Sequence, residues 1–207
     1  MHIQPLFAEH DAAELRRLIR AYPLATLTVC GATGLESNLL PLELQASGDT
    51  WRLAGHVART HSMRRSAEDG AAAVAVFQSP NAYISPSWYI NGQRSRRNAP
   101  SWNYIAVQAR GRLRFVDDPA WLHAHLAAMT DQQEAGREAP WSIDDAEPAF
   151  IEESARRLIG FTIEIDDLVC KRFMSQQRTE ADRRSLIEHL AREESPGARA
   201  VASLIRP

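Results

Sequence analysis

The first periodic signal along the chain is helical. Leu15, Leu18, Ile19 and Tyr22 recur at i, i+3, i+4 and i+7, with Asp11 placed as an N-cap and Pro23 as a stop, so an amphipathic helix is predicted here. The period then changes. Leu24–Cys30, Leu35–Leu44, Trp51–Val57 and Ala72–Gln78 are short runs rich in apolar and β-branched residues and read as strands. Gly31-Ala-Thr-Gly34 and Ala46-Ser-Gly-Asp49 separate the first three as hairpin turns, which predicts a β-meander. Leu40, Leu42 and Leu44 alternate with Pro41 and Glu43, giving one buried face. Pro41 withholds a ladder donor, which favours an edge strand or a bulge.

Further along, Ser62–Glu68 reads as a short helix stopped by Asp69-Gly70, and Asn103–Phe115 as a long strand with a bulge at Gly111. Asp118-Pro119 supplies an N-cap and a proline at N1 for a helix with Leu122, Leu126 and Met129 on one face. Phe150–Leu158 continues as helix and Gly160–Cys170 alternates as a strand. Thr179-Glu-Ala-Asp182 resembles a capping box before Leu186, Ile187 and Leu190, and Ser195-Pro196 opens a last helix. Strands in the first two-thirds, with helices at the ends and in insertions, predict an α+β fold built on an antiparallel barrel. No regular βαβ alternation, GxGxxG or GxxxxGK[ST] is present, which disfavours a doubly wound nucleotide fold.

Composition adds bounds. A chain of 207 residues, 44% hydrophobic and 24% charged, has the make-up of one globular domain over 1–207, with C-terminal helices from about 179 to 207. No apolar run approaches the roughly 20 residues of a membrane helix, so the expectation is a cytoplasmic protein without a membrane partner. Cys30 and Cys170 stand in no metal or redox spacing and are expected as buried small hydrophobes. The net charge of −2 gives no global support for DNA binding, although Arg94, Arg96 and Arg97, and Arg64 with Arg65, form local basic clusters.

Three segments carry candidate chemistry. Gly55-His-Val-Ala-Arg-Thr-His-Ser-Met-Arg-Arg65 brings hydroxyls, imidazoles and guanidiniums to a helix start, the donor types that hold a phosphate, or else the start of an ordinary basic helix. Val76–Tyr89 and Ala99–Tyr104 interleave aromatics with Gln, Asn and Ser, which suits a flat heteroaromatic ligand as well as core packing. Ser85–Ser101 is long for a connection, the length at which loops are often functional. His123 and His125 are two apart on a helix and do not converge on a metal, so they are read as structural or solvent-facing. No nucleophile motif or acid/base dyad is evident, and no catalytic residue is assigned.

The strings Gly55-His56-Val57-Ala58-Arg59, Phe77-Gln78, Ala82-Tyr-Ile-Ser-Pro-Ser-Trp-Tyr89, Trp102-Asn103-Tyr104 and Ser175-Gln176 with Arg178 resemble, in order, the signatures of the PaiB-like family. The resemblance implies a split barrel like that of flavin reductases and pyridoxamine-phosphate oxidases, with FMN bound in a homodimer, in proteins described as negative transcriptional regulators. Residue by residue, it implies that Arg59, Thr60, His61, Ser62 and Arg65 meet the FMN phosphate. Asn38, Leu39, Leu40, His56, Val57 and Gln78 would lie near the ring and ribityl chain, and Trp102, Asn103, Gln176 and Arg178 would close the site, in one arrangement from the other subunit. His61-Ser62-Met63-Arg64 replaces an Asn-Pro stretch of the family, Ser79 a glycine and Asn81 a histidine. DNA or a regulatory protein is the implied further partner. An FMN-dependent oxidoreductase on the same barrel is the alternative, and haem ligation by His56 or His61 a weaker one.

Overall fold

In the computed structural model, which describes residues 1–47, 50–93 and 96–207, the strands are β1 (Ala8–Glu9), β2 (Leu24–Gly31), β3 (Gly34–Pro41), β4 (Glu43–Ser47), β5 (Thr50–Ala58), β6 (Ala72–Gln78), β7 (Ala82–Ile84), β8 (Ser101–Val116) and β9 (Leu158–Phe173). The helices are α1 (Ala12–Ala21), α2 (Ser62–Ser66), α3 (Pro119–Glu134), α4 (Pro148–Arg156), α5 (Glu180–Arg192) and α6 (Pro196–Leu204). Gly48 and Asp49 of the expected second turn, and Arg94 of the basic cluster, lie outside the described residues. Met1–Leu18, Phe77–Gln108 and Val169–Pro207 form one compact unit; Ile19–Val76 and Ala109–Leu168 form another.

In the second unit, the run expected as a single strand over 35–44 is broken at Leu42. Pro41 cannot continue the ladder, and Leu42, 1% exposed, turns the chain inward. β2 pairs with β3 from Leu24↔Pro41 to Gly31↔Gly34, and β4 with β5 from Glu43↔Ala54 onward. The expected meander is therefore two hairpins, and they lie at opposite ends of the strand order β3-β2-β6-β8-β9-β5-β4. Six strand spacings would set β3 and β4 about 29 Å apart in a flat sheet. The link through Leu42 spans at most about 7 Å between flanking Cα atoms. The sheet must roll up until its edges meet at Leu42, and among the described residues β3 and β4 do not pair there. The result is an antiparallel barrel left split along one seam.

The barrel interior follows the period-2 pattern. Leu53, Gly55 and Val57 of β5 stand in register with Ile163, Phe161 and Ile159 of β9, and all are buried. Glycine is required at 55, since a Cβ there would lie 2.5 Å from the Phe161 ring and 2.8 Å from Leu42. β8, Ser101–Val116, passes through Gly111. What requires glycine at 111 is close backbone approach, a Cβ there falling 1.9 Å from the Glu164 carbonyl oxygen.

In the first unit, β1 pairs with the end of β9 (Ala8↔Lys171) and β7 with the start of β8 (Ala82↔Asn103). Leu186, Leu190, Val201 and Ala202 of α5 and α6 are buried there. The long segment after Ser85 is tethered: Asp182 Oδ1 accepts from the backbone N–H groups of Ile90 and Asn91 at 2.8 and 2.9 Å. The same aspartate donates its N–H to the Thr179 hydroxyl at 3.2 Å, so the expected capping pair also anchors the loop. Among the described residues no helix is long and apolar enough to cross a membrane.

Candidate functional site

A polar cluster forms where α2 packs against the seam strand β3. Alternation along β3 sends Glu36, Asn38 and Leu40 to a half-buried face, while Leu35, Ser37 and Leu39 stand exposed on the other. The Glu36 carboxylate accepts from the Ser62 hydroxyl at 2.5 Å on Oε1, from the Ser66 hydroxyl at 2.9 Å on Oε2 and from Asn38 Nδ2 at 3.2 Å. His61 Nδ1 lies 3.9 Å from Glu36, but that nitrogen accepts the Met63 N–H at 3.1 Å as the N-cap of α2. Chiefly the Ser62 hydroxyl, then Asn38 and Ser66, hold the Glu36 carboxyl below the usual range.

The two arginines expected at the phosphate are engaged elsewhere. Arg59 forms a two-pronged pair with Asp117 (2.9 and 2.5 Å) and donates to the Arg156 carbonyl at 2.9 Å. This pair sits on an apolar cleft of about 680 Å³ between α3 and α4, lined by Leu122, His123, Ile151 and Leu158 among others. Arg65 donates to the carbonyl of Thr60. The structure thus brings Asn38, His61 and Ser62 to the Glu36 cluster, keeps Leu40 on the same face of β3 further along, turns the Leu39 side chain (67% exposed) to the opposite face, and directs Arg59 into the cleft. Val57 is buried inside the barrel and its neighbour His56 points the other way.

His56 meets a partner that the sequence did not reveal. His56 Nδ1 is 3.2 Å from His125 Nε2, and His125 Nδ1 is 3.2 Å from Glu43 Oε2. The carboxylate can only accept, so His125 donates to it from Nδ1; with His125 neutral its Nε2 accepts from His56 Nδ1, and with His125 protonated that Nε2 donates to His56 instead. His125 is buried, and the Trp121 ring stacks on it with centroids 5.1 Å apart. Gly160, register partner of His56, admits that ring, since a Cβ there would lie 2.2 Å from Trp121. Burial, and then the second imidazole, push the His56 pKa down to about 4. His125 was expected to be structural or solvent-facing. The available signal was its position three residues after Leu122 on the apolar face of α3, where a polar side chain must find a partner.

The remaining expected site residues belong to the first unit. Gln78 is exposed at the end of β6 and Trp102 is 54% exposed, edge-on to Tyr83 at 6.2 Å. Asn103 is fully buried and accepts from the Ser175 hydroxyl at 3.1 Å. Gln176 folds back on its own strand end, accepting from the Met174 N–H at 2.7 Å and donating to the Arg172 carbonyl. Arg178 lies over the Tyr89 ring at 4.0 Å. Asn103 Nδ2, the Tyr89 hydroxyl and Arg178 Nε are buried and have no hydrogen-bond partner among the described residues. Cys170 is buried as expected, its thiol pushed up to about 12 by desolvation, whereas Cys30 is exposed on the outer face of β2.

A rolled, unclosed antiparallel sheet is the architecture of split-barrel flavin-binding proteins. The FAD and haem binding protein from Mycobacterium smegmatis matches this fold with a TM-score of 0.60 at 16% identity, over 84% of this chain and 77% of that one. The flavocytochrome Anf3 from Azotobacter vinelandii matches with a TM-score of 0.59 at 15% identity, over 83% and 72% of the two chains. In sequence, residues 1–167 match the family described as "Putative FMN-binding domain". The protease synthase and sporulation protein PAI 2 of Bacillus subtilis is 30% identical over 205 residues, 99% of this chain and 96% of that protein. The chain belongs to this PaiB-like FMN-binding family, and FMN is the cofactor of the family.

Proposed function

We propose that the chain is an FMN-binding regulator of gene expression that acts as a homodimer, with repression as its effect. The observation that carries the flavin part is the donor cluster on the split-barrel seam. Ser62, Ser66, Asn38, Thr60 and Arg65 are the donor types a phosphate monoester requires; Asn38 lies on β3, Thr60 in the turn before α2, and Ser62, Arg65 and Ser66 on α2. The donor set fits the group in kind. Ser62, Ser66 and Arg65 would lie beside the phosphate, with Glu36 among them, and Asn38 and Leu40 would border the ribityl chain and ring. Bound FMN supplies a ring that can be reduced and reoxidised, which makes its redox state a signal.

The regulatory part is supported by the relative named for protease synthesis and sporulation, which aligns with nearly the whole chain. Homodimerisation is supported by the outer face of β2 and β3, where Leu24, Leu35 and Leu39 are 59%, 77% and 67% exposed beside Cys30 and Pro41. The reading favours a regulatory protein as the further partner over direct DNA contact: the exposed Arg112 and Arg114 of β8 face Asp166 and Glu164 at 3.9 and 3.6 Å. The test is an absorbance spectrum from the near ultraviolet to the visible after incubation with FMN and desalting, for wild type and Arg65→Ala. Retained flavin bands in the wild type support the flavin reading, their weakening in the variant would assign Arg65 to the phosphate, and no retention at any concentration sinks the reading. Transcript profiles of a deletion strain complemented with wild type or variant then test regulation.

A second reading, an FMN-dependent oxidoreductase, is favoured by the Glu43–His125–His56 chain, since linked imidazoles and a carboxylate can relay a proton. Bleaching of bound flavin by NADH or NADPH with turnover against an acceptor would establish it; an inert flavin would dismiss it.

A further inference from the structure

The donor cluster that suits a phosphate already contains an anion. Both oxygens of Glu36 carry a hydroxyl donor, Ser62 on Oε1 and Ser66 on Oε2, and Asn38 adds a third hydrogen bond. A serine hydroxyl has one proton, so while it serves Glu36 it cannot serve a second acceptor. The His61 nitrogen nearest Glu36 is an acceptor in its contact with Met63 and offers no replacement donor. Nor do the neighbouring arginines neutralise the carboxylate: Arg59 is paired with Asp117, Arg64 lies over the Phe115 ring at 4.9 Å and Arg65 is turned to the Thr60 carbonyl. A phosphate dianion entering this cluster must displace Glu36 from its donors and tolerate a like charge beside it.

We infer that Glu36 is an internal anion occupying the phosphate subsite, so that the protein gains little affinity from the phosphate of FMN and binds riboflavin almost as well. The inference rests on the flavin reading above and sharpens its ligand class: a flavin recognised by its ring and ribityl chain, with phosphate selectivity set by one carboxylate on β3. Removing the charge while keeping the shape restores selectivity, because a glutamine at 36 leaves both serine hydroxyls near the subsite without the repulsion.

The experiment is a fluorescence-quenching titration of FMN and of riboflavin into wild type, Glu36→Gln and the Ser62→Ala/Ser66→Ala double variant, each checked for folding by circular dichroism. Thermal melts with and without inorganic phosphate run alongside. The expected wild-type dissociation constants for the two flavins agree within a small factor. Glu36→Gln tightens FMN by about tenfold or more, leaves riboflavin unchanged and gains a phosphate-dependent rise in melting temperature. The serine double variant shows no preference for FMN. Wild type binding FMN far more tightly than riboflavin, with Glu36→Gln neutral, overturns the inference. Failure of every form to bind either flavin refutes the flavin reading and its ligand class with it; the phosphate melts of Glu36→Gln then decide separately whether Glu36 stands in for an anion, a flat response refuting that as well.

Discussion

A neutral imidazole held in a partly dry site takes its proton late as pH falls, and His56 is such a group. Its folded pKa of about 4 lies below the ordinary 6.5, so between those values the unfolded chain binds a proton that the folded chain does not. The stability from keeping His56 neutral is full above pH 6.5 and declines as pH falls, levelling near pH 4. Solvent screening limits the slope to about 1 kcal/mol per pH unit at most. Glu36 and Glu43 act in a separate window: both are held below the ordinary 4.5, so what they contribute is lost only on further acidification. Chemical denaturation of wild type and His56→Gln across pH 7 to 4.5 is expected to show a falling midpoint for wild type and a flatter one for the variant. At this scale the sequence was informative about residue type but not about partners. It marked His56 and Ser62 as polar groups in a chemically dense segment, and Asn38 through the family resemblance. It could not show that Glu36, 26 residues before Ser62, or Glu43, 82 before His125, completes each group, because spacing reveals neighbours only within one element.

At the scale of elements, α3 is held to the outer surface of β9, β5 and β4 through Trp121 and His125. Trp121 lies against the Gly160 backbone and stacks on His125, which in turn bonds His56 and Glu43. Gly160→Ala places a methyl group where Trp121 ring atoms now lie, so the ring must leave and the stack is lost. The expected cost is about 1–3 kcal/mol, read as a lowered denaturation midpoint, and it should be recovered in part by Gly160→Ala/Trp121→Leu, which makes room. The elements themselves were largely legible. The capping signals at Asp118, Thr179 and Ser195 each cap a helix, and the α1 stripe of Leu15, Leu18 and Ile19 is buried. The strand break at Leu42 was not legible, because an unbroken apolar alternation from Leu40 to Leu44 describes which face is buried and says nothing about which neighbour each half pairs with. That break is what rolls the sheet and puts β3, with Glu36, on a seam.

At the scale of the whole molecule, the exposed apolar face of β2 and β3 decides whether the protein is solitary. Thr28 and Ser37 share a hydrogen bond at 2.8 Å across this face, which places Leu24, Cys30, Leu35 and Leu39 on the same side of the hairpin. Three exposed leucines on an edge hairpin are an association surface unless covered, and a second copy of the chain is the occupant that the homodimer proposal requires. Cys30 makes that proposal measurable without altering the fold. Cys170 is buried with its thiol pushed up to about 12, so in the folded protein a thiol reagent reads Cys30. If the face is buried between two copies, Cys30 labelling slows as protein concentration rises through the dimer dissociation constant, and Leu39→Asp abolishes that dependence while light scattering reports a monomer. If labelling is fast and independent of concentration and wild type elutes as a monomer, the face is free and the homodimer reading fails. In that outcome the flavin site must be completed within one chain, and the barrel seam with Glu36 becomes its principal polar wall.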